Sequence, residues 1–175
     1  IHVDLDRTKE VNVNMPYGDV RKWYGYIFPY LQADLSKGAL NIPGIPQSTV
    51  PIPYIVVNRT QRYTNPLISY MFLRNYENVV FVGTIEEFND FKDDVPNANH
   101  LQVKNFLELA MWIKSARFFI GNQSMCFAIA EQMKTPRIME TCRFAPNVIP
   151  VGADALDFYT QSCFEEHVKT LAEKY

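Results

Sequence analysis

The chain has 175 residues, 47% of them hydrophobic, which suits one globular domain, or a domain with an appendage, built on a real core. A formal net charge of −2 gives no broad basic field, which argues against nucleic acid or an anionic membrane as the principal partner. No apolar run approaches the roughly 20 residues of a transmembrane segment. The three cysteines are widely spaced and fit no zinc pattern, so we expect free thiols in a reducing, cytoplasmic setting.

Residues 1–50 differ in composition from the rest of the chain and form a predicted N-terminal extension. Within it, the patterns indicate a short strand at 2–6, an aromatic-rich helix at 19–32 and an extended connector at 34–50. The aromatic residues of 17–30 fit packing against the main domain. They also fit contact with a partner domain that this chain lacks, because the chain starts at Ile1 without Met or a signal-peptide pattern.

From residue 51 onward, strand and helix patterns alternate. The predicted strands are 54–57, 79–82, 101–103, 118–120 and 138–139, followed by a short edge strand at 148–151. The predicted helices are 67–76, 85–94, 106–114, 125–134 and 162–174. This order predicts an α/β domain over 51–175, with a Rossmann-like parallel sheet flanked by helices and the aromatic-rich extension before it.

The run 117–136 is the most informative stretch. A buried strand at 118–120 is predicted to end at Gly121 and to pass through the polar turn 122–124 into an apolar helix that stops before Pro136. A turn of this kind places free backbone N–H groups at the carboxyl edge of a sheet, where anions and above all phosphate bind. The plain alternative is an ordinary connection between a strand and a helix that binds nothing.

Two further segments carry polar side chains to the same edge. The loop after the first strand holds Arg59, Thr60 and Arg62, whose guanidinium and hydroxyl groups suit a phosphate, although a solvated loop with surface ion pairs fits equally well. We expect an exposed Arg59 to converge with Ser124 on one anion. Glu140, at the end of the fifth strand, could accept hydrogen bonds from a ribose, or else cap a helix or form an ion pair.

Other chemistry is not indicated. The three histidines are scattered and suggest neither a metal site nor a catalytic triad. No Gly-rich dinucleotide motif, P-loop or nucleophile elbow is present. We therefore expect no metal and no cofactor.

The run 119–125, followed by residues 128–133 and Pro136, resembles the donor-binding, C-terminal half of GT-B glycosyltransferases of the heptosyltransferase-like kind. The resemblance covers about residues 52–140. It implies a parent enzyme with two Rossmann-like domains facing a cleft, the C-terminal one binding a nucleotide-sugar donor and the N-terminal one a carbohydrate acceptor. Residues 1–50 would then be a remnant of that acceptor domain and its connector.

The resemblance also implies roles for individual residues. Glu140 would contact the donor ribose, and the catalytic base would lie in the missing half, so the catalytic residue is unknown. In place of the acidic residue of heptosyltransferases, the turn has Asn122 and Gln123, which argues against an ADP-heptose donor. The residues implied to hold the donor diphosphate are Arg59, Thr60, Arg62, Gln123 and Ser124.

Three functions are thus compatible with the sequence. The first is the nucleotide-sugar-binding domain of a metal-independent, inverting glycosyltransferase. The second is a non-catalytic Rossmann-like binding or assembly module. The third is another Rossmann enzyme, such as a sugar-nucleotide epimerase, and the lack of a Gly-rich loop after the strand at 54–57 argues against it.

Overall fold

A computed structural model describes residues 34–44, 54–145 and 148–175. The predicted strand at 2–6, the helix at 19–32 and the final part of the connector lie outside the described residues. Within the described residues, no helix is both long enough and apolar enough to cross a membrane.

The core of the fold is one six-stranded sheet in which every pair of neighbouring strands is parallel. Its strands are β1 Ile55–Asn58, β2 Val79–Phe81, β3 Asn99–His100, β4 Phe118–Asn122, β5 Arg137–Glu140 and β6 Ala155–Phe158. They lie in the order β3-β2-β1-β4-β5-β6. This is the strand order of the doubly wound dinucleotide-binding fold, and it confirms the predicted Rossmann-like α/β class.

Four α-helices and one short 3-10 helix cover the sheet. They are α1 Ile85–Asp94, α2 Phe106–Ser115, α3 Met125–Met133 and α4 Gln161–Lys174, with the 3-10 helix at Met71–Asn75. Because side chains alternate along a strand, Ile55 and Val57 pack beneath α1 and α4, whereas Tyr54 and Val56 pack beneath α2 and α3. The sheet is therefore buried on both faces, which explains its apolar strands.

Polar side chains cap the starts of three helices. Thr84 accepts a hydrogen bond from the Glu87 N–H, and the Glu87 carboxylate accepts from the Thr84 N–H, which forms a capping box. Asn105 and Ser124 cap α2 and α3 with their side chains, which accept from the N–H groups of Glu108 and Phe127. The first residues of these helices could be predicted from the sequence because each capping side chain bonds to a residue only three positions away.

The prediction that the strand ends at Gly121 was wrong, because β4 continues through Gly121 to Asn122. A Cβ atom at Gly121 would lie 2.8 Å from the Asn58 carbonyl oxygen and 2.8 Å from the Phe119 ring. The glycine therefore allows β1 and β4 to pair closely at the edge where the strands end.

Three other predicted elements were wrong in position or type. The predicted helix at 67–76 forms only over Met71–Asn75, as a 3-10 helix, because the N–H groups of Ser69 and Tyr70 donate to the side chains of Gln161 and Asp94 rather than to helical carbonyls. The third strand lies two residues earlier than predicted, at Asn99–His100.

The predicted edge strand at 148–151 is absent, and β6 forms instead at Ala155–Phe158. The Val151 N–H, which a strand would use in its ladder, donates to the Glu131 carboxylate. The Arg137 N–H bonds to the carbonyl of Asp154 and so aligns the next segment as the edge strand.

The connector segment 34–44 is packed against the domain that was predicted to begin at residue 51. The Lys134 ammonium donates to the Leu35 carbonyl at 2.7 Å and to Glu131 at 2.8 Å. The Leu40 N–H donates to the Gln132 carbonyl at 3.2 Å. This attachment lies beside the C-terminal end of α3, away from the carboxyl edge of the sheet.

Candidate functional site at the carboxyl edge

The strand order reverses between β1 and β4, which are paired with Asn58 opposite Gly121. The chain leaves β1 and β4 for opposite sides of the sheet at this point, which opens a crevice outside their carboxyl ends. Ligands of open α/β sheets bind in this crevice. The loop 59–62 and the turn 123–124 follow the ends of these two strands, so they lie on either side of the crevice.

Asn122 joins these two walls. Its side chain is fully buried; its Oδ1 accepts from the Thr60 N–H at 3.1 Å, and its Nδ2 donates to the carbonyls of Thr60 at 2.7 Å and Arg62 at 2.9 Å. The Thr60 hydroxyl lies 2.9 Å from the Arg62 carbonyl and 3.2 Å from Asn122 Oδ1. The backbone of the β1 loop is therefore fixed relative to the β4 turn. A polar Asn at the end of an apolar strand was the sequence signal for this role.

Gln123 and Ser124, both predicted to hold a phosphate, lie at the turn but bond to protein groups. The Ser124 hydroxyl donates to Asn58 Oδ1 at 2.7 Å and accepts from the Phe127 N–H at 3.3 Å. The Gln123 side chain donates to the Ala145 carbonyl at 2.8 Å and accepts from the Cys142 N–H at 3.2 Å. Both side chains are therefore engaged with protein groups on either side of the turn.

The helix N-termini differ in charge. α1 and α2 carry Glu87 and Glu108 in their first turns, whereas the first turns of α3 and α4 have no acidic residue. A helix N-terminus carries about half a positive charge. At α3 this charge is not balanced by an acidic side chain of the first turn, and it lies at the crevice.

Arg59 and Glu140, which were predicted to make separate ligand contacts, form an ion pair in which the carboxylate is buried and the arginine is partly buried. Arg59 Nε lies 2.8 Å from Glu140 Oε2, and the Arg59 side chain is only 20% exposed, so the expectation of an exposed arginine was wrong. Its second donor nitrogen reaches the carbonyls of Asn65 and Ile68 at 3.1 Å. The hydrogen bonds do not show the predicted convergence of Arg59 with Ser124, since each bonds to other protein groups.

Glu140 is fully buried and accepts from several donors. Besides Arg59, the Tyr70 hydroxyl donates to Glu140 Oε2 at 3.0 Å, and the Asn65 N–H donates to Oε1. Burial, followed by the negative charge of Glu140, raises the pKa of Tyr70 well above its ordinary value, so this hydroxyl remains a donor. The ribose role predicted for Glu140 would require an acceptor that these donors already occupy.

Arg59 also lines a cavity of about 210 Å³ between the β1 loop and α1. The opposite wall contains Glu87, Asp90 and Asp94. Three carboxylates disfavour an anion, so this cavity is a poor place for a phosphate.

Two arginines at the carboxyl edge are exposed. Arg62 lies over the ring of Tyr63, with 4.7 Å from its guanidinium carbon to the ring centroid. Arg143, in the segment after β5, lies over Phe144 at 4.6 Å. Arg62 was among the predicted phosphate ligands, whereas Arg143 was missed, because nothing in the local sequence shows that its segment is tied to the turn.

The geometry of potential metal ligands and the burial of the Cys126 thiol also bear on the chemistry of this edge. No group of three or more His, Cys, Asp or Glu side chains suited to a metal occurs within 34–44, 54–145 and 148–175. Burial, followed by the charge of Glu87, raises the pKa of Cys126 in α3 to about 12, so this thiol is not a nucleophile at neutral pH. The cysteines are all free, as expected.

Comparison with known proteins shows similarity in structure without a match in sequence. No protein-family model matches the chain, and no curated protein matches it. The fold is similar to that of E. coli ADP-heptose LPS heptosyltransferase II, with a TM-score of 0.55 and 15% sequence identity over 73% of this chain. The match covers 49% of that protein, so the chain spans about half its length.

The comparison therefore shows the fold: the chain has a Rossmann-like α/β arrangement similar to that of the heptosyltransferase. The resemblance predicted from the run 119–136 is confirmed to this extent.

Proposed function

We propose that this domain binds the nucleotide-sugar donor of a glycosyltransferase, at the crevice between the β1 loop and the β4 turn. The observation that carries the proposal is the α3 N-terminus, which lies at the reversal of strand order with no acidic residue in its first turn. The structural neighbour, a heptosyltransferase named for ADP-heptose, supports a nucleotide-sugar as the ligand class.

The chemistry would be displacement at the anomeric carbon of the sugar. An acceptor oxygen forms the new bond to that carbon, the bond from carbon to the diphosphate oxygen breaks, and its electron pair leaves on the nucleoside diphosphate. Backbone N–H groups and the positive end of α3 stabilise this developing charge, which gives a route without a metal ion. The acceptor and the base that takes its proton would be held by another domain of the parent protein.

A second candidate is a binding or assembly module without catalysis. The observation that favours it is a group of exposed apolar side chains at the carboxyl edge: Phe106 is 67% exposed, Leu107 56% and Phe144 76%. Such side chains are typical of surfaces that meet another protein.

Calorimetry with UDP, GDP, ADP and CMP, in the presence of a chelator, tests the two candidates. We expect heat from at least one nucleotide at millimolar concentration, because the charge of the helix end requires no metal. No heat with any of the four nucleotides would overturn the proposal and favour the binding module.

A charge placed at the helix end sharpens this test. Met125 is the first residue of α3 and is 49% exposed. Met125→Glu should leave the fold intact, because an acidic side chain suits a helix N-terminus, but should weaken nucleotide binding about tenfold by repelling the diphosphate. Met125→Gln is the matched neutral control and should bind as the parent does. Equal binding by the two variants would place the ligand elsewhere.

A further inference from the structure

The β1 loop and the segment after β5 carry the same feature on either side of the β4 turn. Each has an exposed arginine whose guanidinium lies over the ring of the following aromatic residue, Tyr63 in one case and Phe144 in the other. Because β1 and β5 are the two neighbours of β4, these arginines flank the N-terminus of α3. Two strand spacings separate their segments, about 10 Å, a distance that two extended arginine side chains can bridge.

The arginines of 54–145 divide into two groups by their partners. Those that donate to protein carbonyls or carboxylates are Arg59, Arg74, Arg117 and Arg137. Arg62 and Arg143 make no ion pair or side-chain hydrogen bond within the described part of the chain; the guanidinium of each lies over its neighbouring ring. Their donors are therefore available to a ligand, whereas those of Arg59 are committed to Glu140.

Amide side chains of the turn hold both arginines in place. Asn122 donates to the Arg62 carbonyl at 2.9 Å, which fixes that residue relative to β4. On the other side, Gln123 bonds to the Cys142 N–H and to the Ala145 carbonyl, and so brackets Arg143. An arginine on a fixed backbone loses less conformational freedom when it binds an anion.

We propose that Arg62 and Arg143, rather than Arg59, are the side chains that bind the anionic part of the ligand. The ligand class is a nucleoside diphosphate, and the proposal rests on the proposed function. The two guanidinium groups bind the diphosphate from opposite sides of the turn, and the backbone N–H groups at the N-terminus of α3 bind it between them. Paired guanidinium donors match phosphate oxygens in geometry and charge.

The test measures binding of the best nucleotide and of inorganic pyrophosphate to the full chain and its variants. Arg62→Ala and Arg143→Ala should each weaken the binding of both ligands about tenfold. This factor is the lower end of the range for losing a hydrogen bond to a charged group, and it applies because both arginines are exposed. The affinity for pyrophosphate should fall by the same factor as the affinity for the nucleotide, since the arginines contact the two linked phosphates that both ligands contain. Unfolding temperatures should stay unchanged.

Lys169→Ala is the matched control. Lys169 is also exposed and lies 5.5 Å from the ring centroid of Phe72, but it belongs to α4, away from the turn. The control removes the same charge and should leave binding intact.

The outcomes separate this inference from the proposed function. Binding by the parent, with Arg62→Ala and Arg143→Ala indistinguishable from Lys169→Ala, overturns the arginine assignment and leaves the nucleotide site standing. A loss of binding in Arg59→Ala alone, in protein shown to be folded, also overturns it. No binding of any nucleotide or pyrophosphate by the parent overturns both.

Discussion

A buried carboxylate needs donors, and at the residue scale Glu140 decides what Arg59 does. Transfer of an ionised carboxylate from water costs several kcal/mol, which only close donors can offset. Arg59, Tyr70 and the Asn65 N–H provide them. Arg59, which the sequence analysis predicted to be a phosphate ligand, is therefore the ion-pair partner of the buried Glu140.

Arg59→Ala should reduce the free energy of unfolding by about 3–5 kcal/mol, because it leaves Glu140 buried without its cation. Urea denaturation followed by circular dichroism measures the change. Arg62→Ala, at an exposed site, should stay within about 0.5 kcal/mol of the parent. The double variant Arg59→Ala/Glu140→Gln should recover part of the loss, since a neutral amide tolerates burial better than a charge. Equal stability of Arg59→Ala and Arg62→Ala would show that the pair does not contribute to folding.

At the scale of the elements, the side chain that caps α3 makes one more hydrogen bond than the side chain that caps α1. Thr84 caps α1 within an exposed capping box. Ser124 caps α3 and also donates to Asn58, a 2% exposed residue at the end of β1. The second bond joins the helix to the neighbouring strand across the crevice.

Ser124→Ala should therefore cost more than Thr84→Ala. Loss of a cap costs about 1 kcal/mol in either helix, and the unsatisfied Asn58 oxygen adds about 1–3 kcal/mol in the Ser124 variant. Chemical denaturation of the two variants, compared with the parent, gives the difference. If the two changes cost the same, the bond from Ser124 to Asn58 contributes nothing to stability.

At the scale of the whole molecule, buried tyrosines on both faces of the sheet link stability to alkaline pH. Burial raises the pKa of Tyr54 to about 12, and burial together with Glu140 raises that of Tyr70 well above its ordinary value. In the unfolded chain both groups ionise near pH 10. Above this pH the unfolded state loses protons that the folded state keeps, and so stability falls as pH rises.

We expect the free energy of unfolding to be nearly constant up to about pH 9 and then to fall from about pH 10 to about pH 12. Urea midpoints measured across this range provide the test. Tyr54→Phe should make the fall shallower, because one of the linked groups is removed. Tyr159→Phe, at a 48% exposed position, is the control and should leave the slope unchanged. A slope that is the same in all three proteins would remove Tyr54 from the explanation.

Much of the architecture could be predicted because its causes are local. The caps of Thr84, Asn105 and Ser124 bond within three residues, and the apolar strands follow from burial on both faces of the sheet. Strands alternating with helices then imply a parallel sheet, and the carboxyl edge of such a sheet is where ligands of this fold bind.

The sequence by itself thus determined the fold class, the helix starts and the edge at which polar residues gather. Only the tertiary structure decided which of those residues bond to protein and which remain exposed. Arg59 meets Glu140 across 81 positions, Thr60 meets Asn122 across 62, and Val151 gives its N–H to Glu131 rather than to a strand. These partners depend on which segments the sheet brings together, and the periodicity of a single segment carries no record of its neighbours in space.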